Sequence, residues 1–283
     1  MNITVVGHVC IDNNISENVT YTSAGSPAMF IVKVYKKFPN VLVNIIAPYG
    51  RDFLTYLRNV HIYPKKPTVE RTLIYENKSR DNIRSQKALN RKYAKPLPVD
   101  TEFKKIIATS DVIFFAPLTP DFSLDYVESF ITLAKKDQVK ILMPQSYYRD
   151  FDKDDNVIQR DFIEAAKMIP LFDFVIVSDQ DHKDINNIAK SWAERTNVII
   201  TMGDKGAKHL YKNDSIFASV DPVKSEDIVD SVGSGDIFSA ALGYKYFLIK
   251  NVKKSLEFAN NIARQCLFYP SNNLQFTLPQ LND

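Results

Sequence analysis

Glycine and cysteine are both scarce in this chain, which has eight glycines and two cysteines in 283 residues. Cys10 and Cys266 stand far apart and show no metal-binding spacing. This excludes a disulfide framework and predicts two reduced core cysteines in an intracellular, cytoplasmic protein. The apolar run at the N-terminus is short and is interrupted by Gly7, His8 and Asp12, so we do not expect it to act as a signal peptide.

Long apolar runs and a strong charge of either sign are also lacking. No apolar stretch reaches the roughly 18–20 residues that a membrane-spanning helix needs, so we expect no membrane partner. The net charge of +3 is weak and gives no reason to expect a nucleic-acid partner. A hydrophobic content of 45% and a charged content of 24% are ordinary, so residues 1–283 are expected to form one large globular domain.

Apolar runs of strand length alternate with helical patterns along the chain. The predicted strands are 3–6, 41–47, 68–76, 112–115, 140–143, 174–177 and 197–201, followed by a hairpin over 208–219. The predicted helices are 28–37, 121–136, 159–168, 183–195, 235–250 and 252–268, and a short helix opens at 50–52. This alternation predicts an α/β fold, with a doubly wound, mainly parallel sheet and helices on both faces. The polar segments 13–24 and 65–95 interrupt the alternation, and we expect them to form a small lid over the carboxyl edge of the sheet.

Two of the scarce glycines, Gly233 and Gly235, lie in the segment Asp-Ser-Val-Gly-Ser-Gly-Asp at 230–236, directly before a helical pattern. Glycine lets backbone N–H groups turn toward a ligand. A helix N-terminus adds unpaired donors and the positive end of the helix dipole. The segment therefore predicts an anion site, and phosphate is the usual anion. Asp236 does not favour an anion, so we expect its carboxylate to take a proton from a nucleophile that attacks the phosphate.

Residues 230–238 resemble the carboxyl-terminal signature of the ribokinase-like (PfkB) carbohydrate kinase family. Further segments resemble the family's motifs, in the family's order and across nearly the full chain: 7–12, 24–28, 47–52 and 201–206. The resemblance implies a doubly wound α/β/α domain with a small β lid. It also implies an ATP-dependent, magnesium-using kinase that phosphorylates a hydroxyl of a small sugar, polyol or nucleoside.

The resemblance also implies a role for each matching position. The backbone N–H groups of Gly233, Ser234 and Gly235 would bind the transferring phosphoryl group, and Asp236 would be the catalytic base. On the acceptor side the substrate residues would be Asp12, which holds substrate hydroxyls, and the turn residues Gly25 and Ser26. The expected donor-side residues are Ser178, Thr201, Gly203, Gly206 and Asn260, with Asp181 helping to hold magnesium through water.

Several positions depart from the family's pattern. Met29 stands where the family usually has an asparagine, and Ala24 replaces the first glycine of the preceding turn. Ser-Asp-Gln-Asp at 178–181 replaces the family's Asn-x-x-Glu, although an aspartate can still hold magnesium through water. The loss of the asparagine amide bears on the affinity for the substrate, or on its type, more than on phosphoryl transfer. The chain has no Gly-x-x-x-x-Gly-Lys-Ser/Thr, so the phosphate site is not a Walker loop.

The lid is rich in basic residues, since 77–95 holds seven of them and one acid. This stretch is either a solvated basic flap or, in part, a surface that faces the substrate or the ATP phosphates. Arg84 and Gln86 would share one face of a strand, and Arg84 is the substrate residue that we expect there. Gln145 is another, because 144–149 resembles the Pro-Gln-Gly-x-x-Arg of inositol-kinase-like members. The lid is also where a homodimer contact is expected, with the oligomeric state left open.

Two other functions stay open at this point. A nucleoside kinase of the same fold would be favoured by an aromatic ring over the base, such as Phe30 or Tyr21. A non-catalytic relative that senses a ligand is kept open by Met29 and Ser178, whereas the retained Asp236 and loop glycines argue against it. A dinucleotide-binding protein is disfavoured, because no Gly-x-Gly-x-x-Gly follows the first predicted strand.

Overall fold

The structure is a computed structural model, and it describes residues 1–16, 20–80 and 83–278. The strands of the described residues are β1 (Asn2–Gly7), β2 (Cys10–Ser16), β3 (Thr20–Gly25), β4 (Leu42–Ile46), β5 (His61–Tyr63), β6 (Leu73–Arg80), β7 (Ile83–Leu89), β8 (Val112–Ala116), β9 (Val139–Leu142), β10 (Arg149–Phe151), β11 (Val157–Gln159), β12 (Phe174–Ser178), β13 (Asn197–Thr201), β14 (Ala207–Tyr211) and β15 (Asp214–Ala218). The α-helices are α1 (Pro27–Tyr35), α2 (Thr101–Ala108), α3 (Leu124–Ile131), α4 (Ala165–Met168), α5 (Ile185–Ala193), α6 (Ser234–Ile249) and α7 (Val252–Cys266).

Nine of the strands form a central sheet in the order β15-β14-β13-β12-β9-β8-β1-β4-β5. The strands from β13 to β5 pair in parallel, and the hairpin of β14 and β15 extends the sheet in antiparallel fashion. Successive side chains of a strand point to opposite faces. In β8, Phe114 packs in the core that contains α1, α6 and α7, whereas Phe115 packs in the core with α2, α3 and α5. The predicted doubly wound, mainly parallel α/β fold is therefore confirmed.

A smaller sheet has the order β3-β2-β6-β7. In it β2 pairs antiparallel with β3 and parallel with β6, and β6 and β7 form an antiparallel hairpin. Its strand β2 starts three residues after β1 ends, at the carboxyl edge where α/β sheets bind ligands. The small sheet is the expected β lid. Of the predicted lid segments 13–24 and 65–95, residues 17–19 and 81–82 lie outside the described residues.

Three predicted elements differ from the structure. The strand predicted over 68–76 begins only at Leu73, the helix predicted over 121–136 shrinks to α3, and the helix predicted over 159–168 shrinks to α4. In the last case the first residue of the predicted helix, Gln159, belongs to β11 instead, because β11 pairs with β10. Ile163, one of the apolar residues of that helical pattern, is 82% exposed, so the pattern does not correspond to a buried helix face.

Helix α2 is present although no helix was predicted there. Its N-terminus is capped by Asp100, whose Oδ1 accepts a hydrogen bond from the backbone N–H of Phe103 at 2.9 Å. An aspartate before an apolar periodic segment is a known start signal. Within the part of the chain that the structure describes, no helix is both long and apolar enough to cross a bilayer.

Candidate active site

The glycine loop, residues 233–235, leads into α6 in a conformation that leaves the first turn of that helix open. Gly233, at the N-cap, has a φ of 77°, in the left-handed region that favours glycine. A Cβ on Gly233 would lie 2.4 Å from the ring of Phe30, whereas a Cβ on Gly235 would meet no described atom within 4 Å. The N–H groups of a first helical turn have no intrahelical partner. The start of α6 therefore has the geometry of an anion site, with Asp236 in its first turn.

Asp230 stabilises the turn that precedes this loop. Its Oδ1 accepts from the backbone N–H of Val232 at 2.9 Å. Its Oδ2 accepts from the hydroxyl of Tyr21 at 2.8 Å and from the backbone N–H of Ser271 at 3.0 Å. Burial raises the pKa of Tyr21 to about 12, so the phenol keeps its proton and donates. The hydroxyl of Tyr21, on lid strand β3, is thus hydrogen-bonded to the turn before the glycine loop.

Asp12 lies on β2 with its carboxylate against the backbone of Gly25. A Cβ on Gly25 would lie 1.9 Å from Oδ2 of Asp12, so glycine is what leaves room for the carboxylate. The thiol of Cys10 donates to Oδ1 of Asp12 at 3.2 Å. Burial raises the pKa of Cys10 well above its usual value, and the charges of Asp12 and Asp236 raise it further. The predicted acceptor residue and the predicted base therefore both lie within electrostatic range of one thiol.

Ser26 and Met29 are hydrogen-bonded to each other at the N-terminus of α1. Ser26 is the N-cap, and its hydroxyl oxygen accepts from the backbone N–H of Met29 at 3.4 Å. Met29 is buried in the core. The position where the family usually has asparagine therefore contributes packing, and the side chain of Ser26 caps a helix in addition to any contact with substrate.

Gln145, Ser178 and Asp181 come together at the carboxyl ends of β9 and β12. Oδ2 of Asp181 accepts from the backbone N–H of Ser178 at 2.8 Å, and Oδ1 accepts from the amide of Gln145 at 3.4 Å. Burial raises the pKa of Asp181, while the bond from Ser178 and the charge of Arg149 act in the opposite direction. The guanidinium of Arg149 also lies 5.6 Å from the ring centre of Tyr75 on lid strand β6. Arg149 therefore lies between the lid and this turn.

The remaining predicted donor-side residues lie together at the end of β13. The hydroxyl of Thr201 donates to the backbone at 3.3 Å, and Gly203 and Gly206 have φ values of 56° and 103°. A Cβ on Gly206 would lie 2.2 Å from the carbonyl oxygen of Ala218. The amide of Asn260, on α7, donates to that same oxygen at 2.9 Å. Asn260 thus lies beside the loop, with its amide bonded to the backbone.

His8 is not a site residue, although it precedes Asp12 by only four positions. Its Nδ1 accepts from the backbone N–H of Leu118 at 2.8 Å, and its Nε2 lies 2.8 Å from the carbonyl oxygen of Ala94. Burial lowers the pKa of His8 to about 4. A neutral ring that donates through Nε2 satisfies both contacts, so His8 is a hydrogen-bonded histidine at a strand end.

Arg84 lies on β7 opposite Ser79 of β6. Its side chain lies outside the described residues, so its expected contact with substrate stays a prediction.

Lys33, which the sequence reasoning did not single out, lies within electrostatic range of Asp12 and Asp236. It is the one charged residue of α1, whose sequence is Pro-Ala-Met-Phe-Ile-Val-Lys-Val-Tyr. Its Nζ donates to the carbonyl oxygen of Ser271 at 3.1 Å. A lone cation in an apolar helix that follows a predicted substrate turn was the available signal.

Comparison with known proteins agrees with this geometry. Residues 56–276 match the PfkB family, described as pfkB family carbohydrate kinase. The chain is similar to the cytidine kinase of Thermococcus kodakarensis (strain ATCC BAA-918 / JCM 12380 / KOD1), with 21% identity over 280 residues that cover 94% of this chain and 96% of that protein.

Several solved structures have the same fold. One is the sulfate complex of a pyrophosphate-dependent kinase in the ribokinase family, with 17% identity, a TM-score of 0.74 and coverage of 95% of this chain and 96% of that one. The nucleoside kinase of Methanocaldococcus jannaschii has 17% identity, a TM-score of 0.71 and coverage of 96% and 94%. The ribokinase of Cryptococcus neoformans var. grubii serotype A, in complex with ADP, has 13% identity, a TM-score of 0.72 and coverage of 95% and 94%.

The family match spans well over half of the chain and contains both the glycine loop and Asp236. An open helix N-terminus beside a carboxylate is the combination that phosphoryl transfer to a hydroxyl requires. The fold, the motifs and the match agree: this chain belongs to the PfkB family of carbohydrate kinases and is a phosphotransferase with a hydroxyl acceptor.

Proposed function

We propose that this kinase transfers the γ-phosphoryl group of ATP to a hydroxyl of a small sugar or polyol. The observation that carries the proposal is the position of Asp12, held on the lid against Gly25, within electrostatic range of the same thiol as Asp236, which lies in the first turn of α6. An acceptor hydroxyl placed there would have a carboxylate to orient it, a carboxylate to take its proton and an anion site for the phosphoryl group.

The glycine loop would act as the anion hole. Charge grows on the equatorial oxygens of the transferring phosphoryl group, and donors that are already in place stabilise it without reorganisation. Gly235 offers open space for that group. The N–H of Ser234 donates to the carbonyl oxygen of Ser231 at 3.2 Å, so Ser234 would exchange this bond for a phosphate oxygen when it joins Gly233 and Gly235.

Asp236 would act as the base, and Asp12 would hold the acceptor. A carboxylate that accepts the hydroxyl proton as the new P–O bond forms typically contributes about 10²–10⁴-fold in rate. Asp12, held against Gly25, would accept hydrogen bonds from other hydroxyls of the acceptor. Gln145, which follows β9, and Arg84, on lid strand β7, would add polar contacts.

ATP would lie along the loop formed by Thr201, Gly203 and Gly206, with its base near Asn260. In the described ranges, no group of three His, Cys, Asp or Glu side chains could hold a metal. Magnesium commonly keeps several waters and uses one or two carboxylates together with substrate phosphates. Asp181, with the charge of Asp179 beside it, fits that donor set, and the bound ion would neutralise phosphate charge.

The test is a matrix of donors and acceptors. ATP and pyrophosphate are each supplied with sugars, inositols and other polyols, and nucleosides, and phosphorylated product is measured. We expect ATP-dependent product with a sugar or polyol. Product formed from none of them would refute the proposal.

The Asp236→Asn variant tests the base. We expect it to bind ATP nearly as well as the unchanged protein and to lose several powers of ten in turnover, because the acceptor proton has no carboxylate to receive it. Turnover within tenfold of the unchanged protein would show that Asp236 is not the base.

A nucleoside is the second candidate acceptor. The similarity to a cytidine kinase over 94% of this chain favours it. In the structure, Phe30 is buried beneath Gly233 and the hydroxyl of Tyr21 is bonded to Asp230, so both aromatic residues already have structural contacts. The same matrix separates the candidates, because kcat/KM for cytidine above that for every sugar and polyol would favour the nucleoside.

A further inference from the structure

We infer that Lys33 is a positioning residue of the anion site, whose ammonium group supplies the fixed positive charge that lets a phosphate group bind at the start of α6 beside three carboxylates. The inference rests on the proposed function for the identity of the site. It concerns a residue of α1 that none of the family resemblances places in the site.

Lys33 is held beneath the glycine loop by two contacts. Its Nζ donates to the carbonyl oxygen of Ser271 at 3.1 Å and lies 4.5 Å from the ring centre of Phe30. Phe30 is the ring against which Gly233 packs. The backbone N–H of Ser271 in turn donates to Asp230 at 3.0 Å. The ammonium group is therefore linked to Gly233 through the ring of Phe30. It is linked to the turn before the glycine loop through the backbone of Ser271.

Three carboxylates lie within electrostatic range of this ammonium group. They are Asp12 of the lid, Asp230 of the turn before the loop and Asp236 of α6. An anion that enters this region meets three negative charges, and like charges at short range in a partly buried site repel strongly. A cation held in their midst reduces that repulsion.

The charge on Lys33 depends on pH in a defined direction. Burial lowers its pKa, and the charges of Asp12, Asp230, Asp236 and, more weakly, Cys10 oppose this without cancelling it. These groups face Lys33 from β2, the glycine-loop approach and α6. The thiol of Cys10 has a pKa raised well above its usual value by burial. As the pH rises, the ammonium group therefore loses its charge earlier than an exposed lysine does.

Pyrophosphate binding tests the inference without requiring turnover. Calorimetry at pH 7.5 and pH 10 measures the affinity of the full chain for inorganic pyrophosphate, with thermal unfolding recorded for each variant. Lys33→Met removes the charge and keeps a linear side chain, so we expect affinity at pH 7.5 to fall at least about tenfold. Lys33→Arg keeps a charge that is not lost by pH 10, so we expect it to retain affinity at pH 10 where the unchanged protein weakens.

Lys37→Met is the matched control. Lys37 follows Lys33 by four residues, and its Nζ reaches Oε1 of Gln275, in the same C-terminal segment, at 3.4 Å. It is exposed, so we expect this variant to bind pyrophosphate within twofold of the unchanged protein at both pH values.

The outcomes separate this inference from the proposed function. Affinity of Lys33→Met within twofold of the unchanged protein overturns it, as does absence of pyrophosphate binding by the unchanged protein. If Lys33→Met does not fold, Lys33→Arg is the deciding variant. The inference is then overturned if Lys33→Arg loses as much affinity at pH 10 as the unchanged protein does. A protein that binds pyrophosphate through Lys33 but phosphorylates no acceptor would refute the proposed function alone.

Discussion

Gly233 and Gly235 are two residues apart in one loop, yet they are constrained in opposite ways. Gly233 combines a φ of 77° with close packing against Phe30, whereas Gly235 has helical geometry and open space around its Cα. The sequence shows two equivalent glycines. The structure shows that one of them permits a backbone conformation and the other leaves room for a ligand.

Alanine substitutions separate these two functions. We expect Gly233→Ala to lower the free energy of unfolding by about 1–3 kcal/mol, because a Cβ at that φ is strained and clashes with Phe30. Gly235→Ala is expected to leave stability unchanged or slightly higher, since alanine favours a helix, and to weaken pyrophosphate binding. Urea unfolding and calorimetry measure the two effects. Equal stabilities of the two variants would contradict the distinction.

His8 makes stability depend on pH. Its pKa falls from 6.5 to about 4 in the folded protein, so between these values the unfolded chain binds a proton that the folded chain does not. The free energy of unfolding should therefore fall as the pH drops from about 6.5 to about 4, with His8 contributing about 3 kcal/mol. An NMR titration of the His8 ring checks this, and a midpoint near 6.5 would contradict it.

At the scale of elements, polar contacts join the lid to the α/β domain. Tyr21 of β3 reaches both Asp230 and Ser271, at 2.8 and 2.9 Å. Arg149 lies between Tyr75 of β6 and the turn at Asp181. Each contact joins a lid strand to a segment that carries a predicted site residue, so the position of the lid and the geometry of the site depend on each other.

Removing the hydroxyl of Tyr21 tests this dependence. Tyr21→Phe loses two hydrogen bonds, to half-buried Asp230 and to buried Ser271, so we expect a loss of about 1–2 kcal/mol in stability and faster amide exchange in β3. Thr22→Val is the matched control, because the hydroxyl of exposed Thr22 bonds within the lid, to Asn13 at 2.9 Å. Similar exchange rates in β3 for the two variants would argue against a link through Tyr21.

The elements themselves were largely predictable from the sequence. β13 coincides with the predicted strand 197–201, and α6 and α7 lie within two residues of their predicted bounds. Their signals are local: a continuous apolar run buried on both faces, and apolar residues that recur at helical spacing. The helix predicted over 159–168 was wrong over most of its length, because Ile163 faces solvent. The spacing of apolar residues does not show which side of a segment the rest of the protein will cover.

At the scale of the whole molecule, the candidate site lies where two sheets meet. The central sheet places the glycine loop and the turn at Asp181, and the small sheet brings Asp12 and Tyr75 toward them. Family motifs named Asp12, Asp236 and Asp181 in advance. They did not show that Ser26 caps α1, that Asn260 is bonded to Ala218, or that His8 is neutral and satisfied.

The sequence by itself determined the alternation of strands and helices and the open loop at Gly233, because both depend on residues that are neighbours in the chain. Only the tertiary structure decided which distant polar groups meet. Lys33, Tyr21 and Asp230 come together at Ser271, although each lies on a separate segment. Such contacts depend on the order of strands in the sheet and on the docking of the lid, which local spacing does not encode.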